Sequence, residues 1–139
     1  MSANENVRIV QDAYAAFGRG DVAAILESLT DDVEWSIPGP AEIPYAGTRY
    51  GRDGAGEFFR LLGQSDEVQV FEPCTFVAQD DLVIVLGRYE ARVRSTDKIA
   101  KTDWVHVFRI RDGKVAQWRE YYDSAQYAQA YRVPAVASR

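Results

Sequence analysis

The one histidine of the chain, His106, and the carboxylate of Glu120 flank an Asp-Gly pair in VHVFRIRDGKVAQWREYYD, residues 105–123. An imidazole exchanges protons near neutral pH, and a carboxylate in an apolar site can hold or release one there too. On one pocket wall the two would be general acid/base groups, or donors to a substrate carbonyl. The competing reading of His106 is a core histidine satisfied by a neighbour. The deciding question is whether the two side chains share a face.

The flanking runs, rich in Val, Phe, Trp and Tyr, are hairpin strands, and side chains alternate faces along a strand. A two-residue loop, Asp112-Gly113, pairs Arg111 with Lys114 and sets His106 beside Arg119. A three-residue loop, Arg111-Asp112-Gly113, with Gly113 left-handed as a bulge, pairs Ile110 with Lys114 instead. One face then collects Trp104, His106, Phe108, Trp118, Glu120 and Tyr122. The other collects Val105, Val107, Arg109, Gln117, Arg119 and Tyr121. The second register is preferred because it segregates an aromatic face carrying two ionisable groups.

Around these residues, Trp104 and Trp118 are expected as pocket wall, with Trp35, Tyr45 and Tyr14 as further substrate contacts. Tyr45 and Pro44 are expected at the mouth, and Phe108 in the core. Cys74 is expected as a packed thiol, since nothing nearby marks it as a nucleophile.

The elements that must hold this site follow from periodicity. Val7, Val10, Tyr14 and Phe17 recur at helical spacing in residues 4–17, with Asn4 as cap. GRGD ends that helix, and Asp21 caps a second through DVAAILESL, with Ile25, Leu26 and Leu29 inward. A short strand ends near Trp35. Pro38, Gly39, Pro40 and Pro44 make residues 37–50 a loop. GRDGAGEFFRLL starts a third helix, with Asp53 as cap and Phe58, Phe59, Leu61 and Leu62 as apolar contacts; its glycines do not have the dinucleotide spacing. From residue 67 the chain reads as strands, with turns at Asp80-Asp81 and at 95–100, then a short helical tail over 124–132. Helices followed by a run of antiparallel strands is α+β. The expected architecture is a cone-shaped barrel: a curved, mostly antiparallel sheet wrapped by three N-terminal helices. Residues 1–132 form the single domain and 133–139 a flexible C-terminal tail.

Composition narrows the function. The chain has 139 residues, a net charge of −5 and 47% hydrophobic residues. That is one globular domain with no basic run for nucleic acid. The start, MSANENVRIV, lacks the apolar core of a signal peptide, and no stretch has membrane-spanning length. A cytoplasmic protein is therefore expected. One Cys and one His exclude an internal disulfide and give no protein-made zinc or iron site.

Three stretches, AYAAFGRGD…ILESLTDDVEW, PYAGTRYGRDGAGEFF and FRIRDGKVAQWREYYD, resemble the nuclear transport factor 2-like superfamily, and within it the SnoaL-like group. The resemblance covers nearly the whole chain. It implies a cone-shaped α+β barrel, often dimeric, in a family that includes ketosteroid isomerase, limonene epoxide hydrolase, polyketide cyclases and members without known activity. Against ketosteroid isomerase, the oxyanion tyrosine falls at Ala13, next to Tyr14; the base falls near Ile37; and the protonated aspartate falls at His106. Against the epoxide hydrolase, the general base falls at Glu120 and the Arg-x-Asp strand resembles Arg88-Tyr89-Glu90. The water-holding tyrosine falls at Trp35, and its asparagine partner near Ser36 or Ile37. The resemblance thus implies catalytic roles for His106, Glu120, Glu90 and Arg88. Glu120 and Glu90 would be a split acid/base pair, or Glu90 would be a structural ion pair with Arg88.

The expected function is cofactor-free acid/base chemistry, of isomerase, epoxide hydrolase or cyclase type, on a hydrophobic carbonyl- or epoxide-bearing molecule in an apolar cone. The alternative is a non-catalytic ligand-binding or dimerisation module of the same fold. No organic cofactor, metal, nucleic acid or membrane is expected as partner. A homodimer through the outer face of the sheet is, since Val105, Val107 and Tyr121 leave that face partly apolar.

Overall fold

The computed structural model describes residues 2–133. The first helix, α1, spans Ala3–Gly18. Its cap is Ser2 rather than Asn4: Ser2 Oγ accepts from the Glu5 amide at 3.1 Å, and Glu5 Oε1 accepts from the Ser2 amide at 3.1 Å. This reciprocal capping box satisfies two orphan donors, which a lone Asn4 would not. Asp21 does cap α2 (Val22–Glu27), accepting from the Ala24 amide. The third helix, α3 (Gly51–Ser65), begins without a side-chain cap, at Tyr50. Asp53 lies inside its first turn, where a negative charge still complements the helix dipole.

Strand β1 (Leu29–Ile37) is followed by a loop and then by β2 (Gly47–Tyr50), which pairs antiparallel with β1 from Glu34↔Tyr50 to Ile37↔Gly47. The stretch read as loop over 37–50 thus closes with a strand. Strands β3 (Asp66–Gln79), β4 (Leu82–Val93), β5 (Ile99–Arg111) and β6 (Lys114–Tyr122) form an antiparallel meander, and α4 (Ser124–Gln129) follows. The sheet order is β2-β1-β6-β5-β4-β3, with β1 and β6 parallel. Strands β2 and β3 are both edges, so the expected curved, mostly antiparallel sheet with its N-terminal helices is present and is open at both sides.

Alternation decides what faces the helices. Along β4, Val83, Val85, Ala91 and Val93 are buried; along β5, Trp104, His106, Phe108 and Ile110 are buried. Val83, Val85, Val93, Trp104, Phe108 and Ile110 make one core with Val10 of α1 and Phe58 and Leu62 of α3. Each large side chain in it contributes about 1.5–3 kcal/mol of apolar burial. Asn6, also buried, ties α1 to the sheet by donating to the Asp80 carbonyl at 3.1 Å.

The β5–β6 hairpin corrects the expected loop. Arg111 pairs with Lys114 across a two-residue turn, and Asp112 (φ 53°) and Gly113 (φ 78°) are both left-handed, the geometry that matches strand twist. The register then shifts between Ile110↔Val115 and Arg109↔Gln117, leaving Ala116 unpaired as a bulge. The bulge reverses the parity that the tight turn would impose, so His106 pairs with Glu120 and Val107 with Arg119.

Of the tail, residues 134–139 lie outside the described residues. Among the described residues, no helix is long and apolar enough to cross a membrane.

Candidate active site

Three side chains from three elements meet at one cavity. His106 of β5 and Glu120 of β6 are cross-strand partners, with His106 Nε2 2.9 Å from Glu120 Oε1. Tyr14, from the face of α1 that carries Val7, Val10 and Phe17, places its hydroxyl 2.8 Å from His106 Nδ1. A carboxylate only accepts, so Nε2 carries the proton toward Glu120; in a neutral imidazole Nδ1 then accepts from the Tyr14 O–H. The imidazole is 4% exposed and stacks on Trp104, with ring centroids 3.8 Å apart and planes 18° off parallel. Burial, then the Glu120 charge, pushes the Tyr14 hydroxyl far above the ordinary tyrosine range, so it remains a donor. Glu120 Oε2 accepts no hydrogen bond from the described residues, which leaves one carboxylate oxygen uncommitted.

These groups border a cavity of about 80 Å³ with otherwise mostly aromatic walls. Trp35 and Trp118 stack as one wall, centroids 4.4 Å apart. Phe58 packs against both, and Phe71 stacks on Trp104. Trp104 fits because its cross-strand partner is Gly87: a methyl there would overlap the indole ring. The indole N–H groups of Trp35 and Trp104 are buried without a hydrogen-bond partner among the described residues. Sites for ligands the size of a drug molecule run to about 300–1,000 Å³, so such a ligand enters only when the aromatic walls part.

A second polar centre, absent from the sequence reading, borders the same cavity. Asp66, 2% exposed at the α3–β3 junction, accepts on Oδ2 from Tyr45 (2.8 Å), Tyr89 (2.8 Å) and Tyr127 (2.6 Å), and on Oδ1 from Tyr131. Burial first, then the neighbouring phenols and carboxylate, push the Tyr45, Tyr89 and Tyr127 hydroxyls up.

The expected site residues divide accordingly. His106, Glu120, Tyr14, Trp35, Trp104 and Trp118 come together at the cavity. Tyr45 borders it too, but as a buried residue on Asp66 and not at a mouth; only Pro44 is exposed there. Phe108 is both core and wall. Arg88 and Glu90 do not join them. Gly87↔Trp104 pairing turns Tyr89 inward and its two neighbours outward. Arg88 bonds Glu72 at 2.8 Å and Glu90 at 3.4 Å on the outer face, away from the cavity. Alternation counted from Val83 and Val85 would have picked out Tyr89. Cys74 is exposed, not packed. No group of three or more potential metal-ligating side chains occurs among the described residues.

The SnoaL-like domain family model matches residues 10–118. An NTF2-like protein from Burkholderia xenovorans LB400 is 39% identical over 95% of this chain and 99% of its own, with a TM-score of 0.87. A second, from Burkholderia thailandensis E264, is 31% identical over 96% of this chain and 100% of its own, at TM-score 0.84. TerC, co-crystallised with polyporic acid, is 27% identical over 91% of this chain and 98% of its own, at TM-score 0.81.

Proposed function

This chain belongs to the SnoaL-like domain family, and we propose that it performs cofactor-free acid/base chemistry on a small apolar carbonyl compound held against His106 and Glu120. The observation that carries this reading is the Tyr14–His106–Glu120 hydrogen-bond chain, the ionisable part of an otherwise largely aromatic cavity wall. Co-crystallisation of the similar protein TerC with a small organic acid supports a ligand in the cavity.

In the proposed step, the free Oε2 of Glu120 takes a proton from the carbon beside the substrate carbonyl. The electron pair moves onto the carbonyl oxygen, which accepts from the unpartnered N–H of Trp104. Protonated Glu120 then returns the proton to another substrate atom, so the net change is an isomerisation. His106 and Tyr14 position the carboxylate: Tyr14 fixes the imidazole tautomer, and the imidazole fixes Oε1. Replacing Glu120 by Gln keeps the shape and removes the base. Turnover on a substrate found by screening carbonyl compounds tests the reading.

A second reading is a non-catalytic binding module. It is favoured by the small cavity and by the way imidazole, carboxylate and phenol satisfy one another without a ligand. A ligand bound with equal affinity by wild type and Glu120→Gln, and never altered, would support it.

We also propose a homodimer through the outer sheet face. There Val77, Ile84, Leu86, Val105 and Tyr121 are cross-strand neighbours, and Val77, Leu86 and Tyr121 are exposed. An apolar patch spanning four strands is unusual on a monomer.

A further inference from the structure

We infer that the cavity is filled from a groove between the last turn of α1 and edge strand β3, and that the ligand is elongated: a carbonyl head beside Glu120 and an apolar tail seated in the groove. The inference rests on the proposed ligand cavity and adds to it the route of entry and the length of the ligand.

The groove has a volume of about 400 Å³ and is lined by Tyr14, Phe17, Gly18, Val68, Phe71 and Pro73. Three of these, Tyr14, Phe17 and Phe71, also line the inner cavity, so their rings are the partition between the two spaces. The inner cavity of about 80 Å³ is smaller than a site for a drug-sized ligand, and the groove supplies the missing room. None of the six lining side chains carries a charge. The one polar side-chain atom among them, the Tyr14 hydroxyl, is committed to His106 at 2.8 Å. Side chains of this kind offer apolar contact and no ionic partner, which suits a hydrocarbon tail.

The partition opens at Phe71. Tyr14 is fixed by its hydrogen bond to His106. Phe71 has only ring contacts, with centroids 4.9 Å from Phe17, 5.4 Å from Tyr14 and 5.3 Å from Trp104. Its strand is an edge, paired on one side only, with β4. Register shifts leave Gln69 and Cys74 unpaired on either side of it, so Val70, Phe71, Glu72 and Pro73 are a short paired segment between two bulges. Short ladders at a sheet edge are among the first parts of a fold to open. A swing of the Phe71 ring joins the groove to the cavity and leaves the Tyr14–His106–Glu120 chain in place.

The test compares two phenyl ketones that differ in chain length, acetophenone and butyrophenone, by calorimetry or NMR titration on the intact protein. Each methylene buried is worth about fourfold in affinity, so butyrophenone should bind at least about fivefold more tightly. Two variants at exposed positions then ask where the tail lies. Gly18→Phe fills the groove from the helical side, where an added Cβ meets nothing within 4 Å. Val68→Glu sets a charge in it from the strand side, at a residue already 39% exposed. At least one should bring the butyrophenone/acetophenone ratio to within about twofold. Acetophenone itself should bind both within about twofold of wild type, since neither residue lines the inner cavity. A wild-type ratio below about fivefold overturns the proposal and leaves the cavity reading standing. A ratio that survives in both variants overturns it too, as does a fall in oligomeric mass in both, which gives the groove to a second copy. No binding of either ketone at about 10 mM removes the cavity reading as well. Because the readout is the chain-length dependence of binding, the groove can fail while Glu120 proves catalytic, and the converse.

Discussion

His106 and Glu120 are directly opposed on β5 and β6, and Nε2 sits 2.9 Å from Oε1. That contact exists because one unpaired residue, Ala116, follows a turn of the wrong parity. Without the bulge, the Arg111↔Lys114 pair would set His106 against Arg119, putting a guanidinium where the carboxylate now stands.

Deleting Ala116 should therefore be tolerated. Gln117 would then follow Val115 opposite Arg109 in an unbroken ladder, and His106 would keep Glu120 as its partner with Arg119 still outward. Chemical denaturation and the near-ultraviolet signal of Trp104 and Trp118 should stay close to wild type. A large loss in either would mean that the bulge itself, and not only the register it restores, holds the hairpin.

Gly87→Ala should be similarly informative. Its methyl meets the Trp104 ring, so the indole must move off the imidazole it stacks on. Overpacking of this kind costs about 1–3 kcal/mol. The expected outcome is a lower urea midpoint together with a shifted His106 ring resonance.

The two ends of the hairpin illustrate what the sequence discloses and what it conceals. The strands, the Asp-Gly turn and the segregated aromatic face are legible, because alternation is a local pattern. The bulge is not: it leaves no mark in side-chain periodicity, and a three-residue loop gives the same faces with pairing displaced along the strand. Strand β2 was hidden because GTRY becomes a strand only by pairing with β1. Asp66 was hidden because an acid at a helix–strand junction reads as surface. Its burial depends on tyrosines from the loop before β2, from β4, from α4 and from the segment after it, brought together only by the fold. Arg88 and Glu90 were drawn to the site by a family motif, while alternation from Val83 and Val85 turns them outward.

Asp66→Asn should destabilise the protein although it removes one formal charge and keeps the shape. The amide NH₂ cannot accept, so at least one buried phenol proton loses its partner, at about 1–3 kcal/mol each. Urea unfolding measures this, and a neutral or stabilising result would contradict the hydrogen-bond assignment.

The buried tyrosines also set the alkaline limit. Burial raises the Tyr14, Tyr45, Tyr89 and Tyr127 hydroxyls above the unfolded value of about 10, so above that pH the folded state holds more protons than the unfolded one. Their contribution is complete below pH ~10 and is lost as the pH rises further. Phenolate absorbance from these residues should appear only with cooperative unfolding. A smooth titration of the native protein near pH 10 that involves more tyrosines than the exposed Tyr50 and Tyr121 would show that they are not protected.

Leu86→Glu places a charge at the centre of the outer apolar patch. It should convert the proposed dimer to a monomer in light scattering while leaving the His106 site intact. A wild-type monomer at high concentration would remove the dimer proposal.

The most direct measurement of the proposed chemistry is single-turnover kinetics of Glu120→Gln beside its binding affinity, on a carbonyl substrate found by screening with the wild type. The expected result is binding within about threefold of wild type and a chemical step slower by about 100-fold or more, because the glutamine has no basic oxygen to take the proton. An unchanged rate with lowered thermal stability would make Glu120 a structural partner of His106 and would contradict the mechanism.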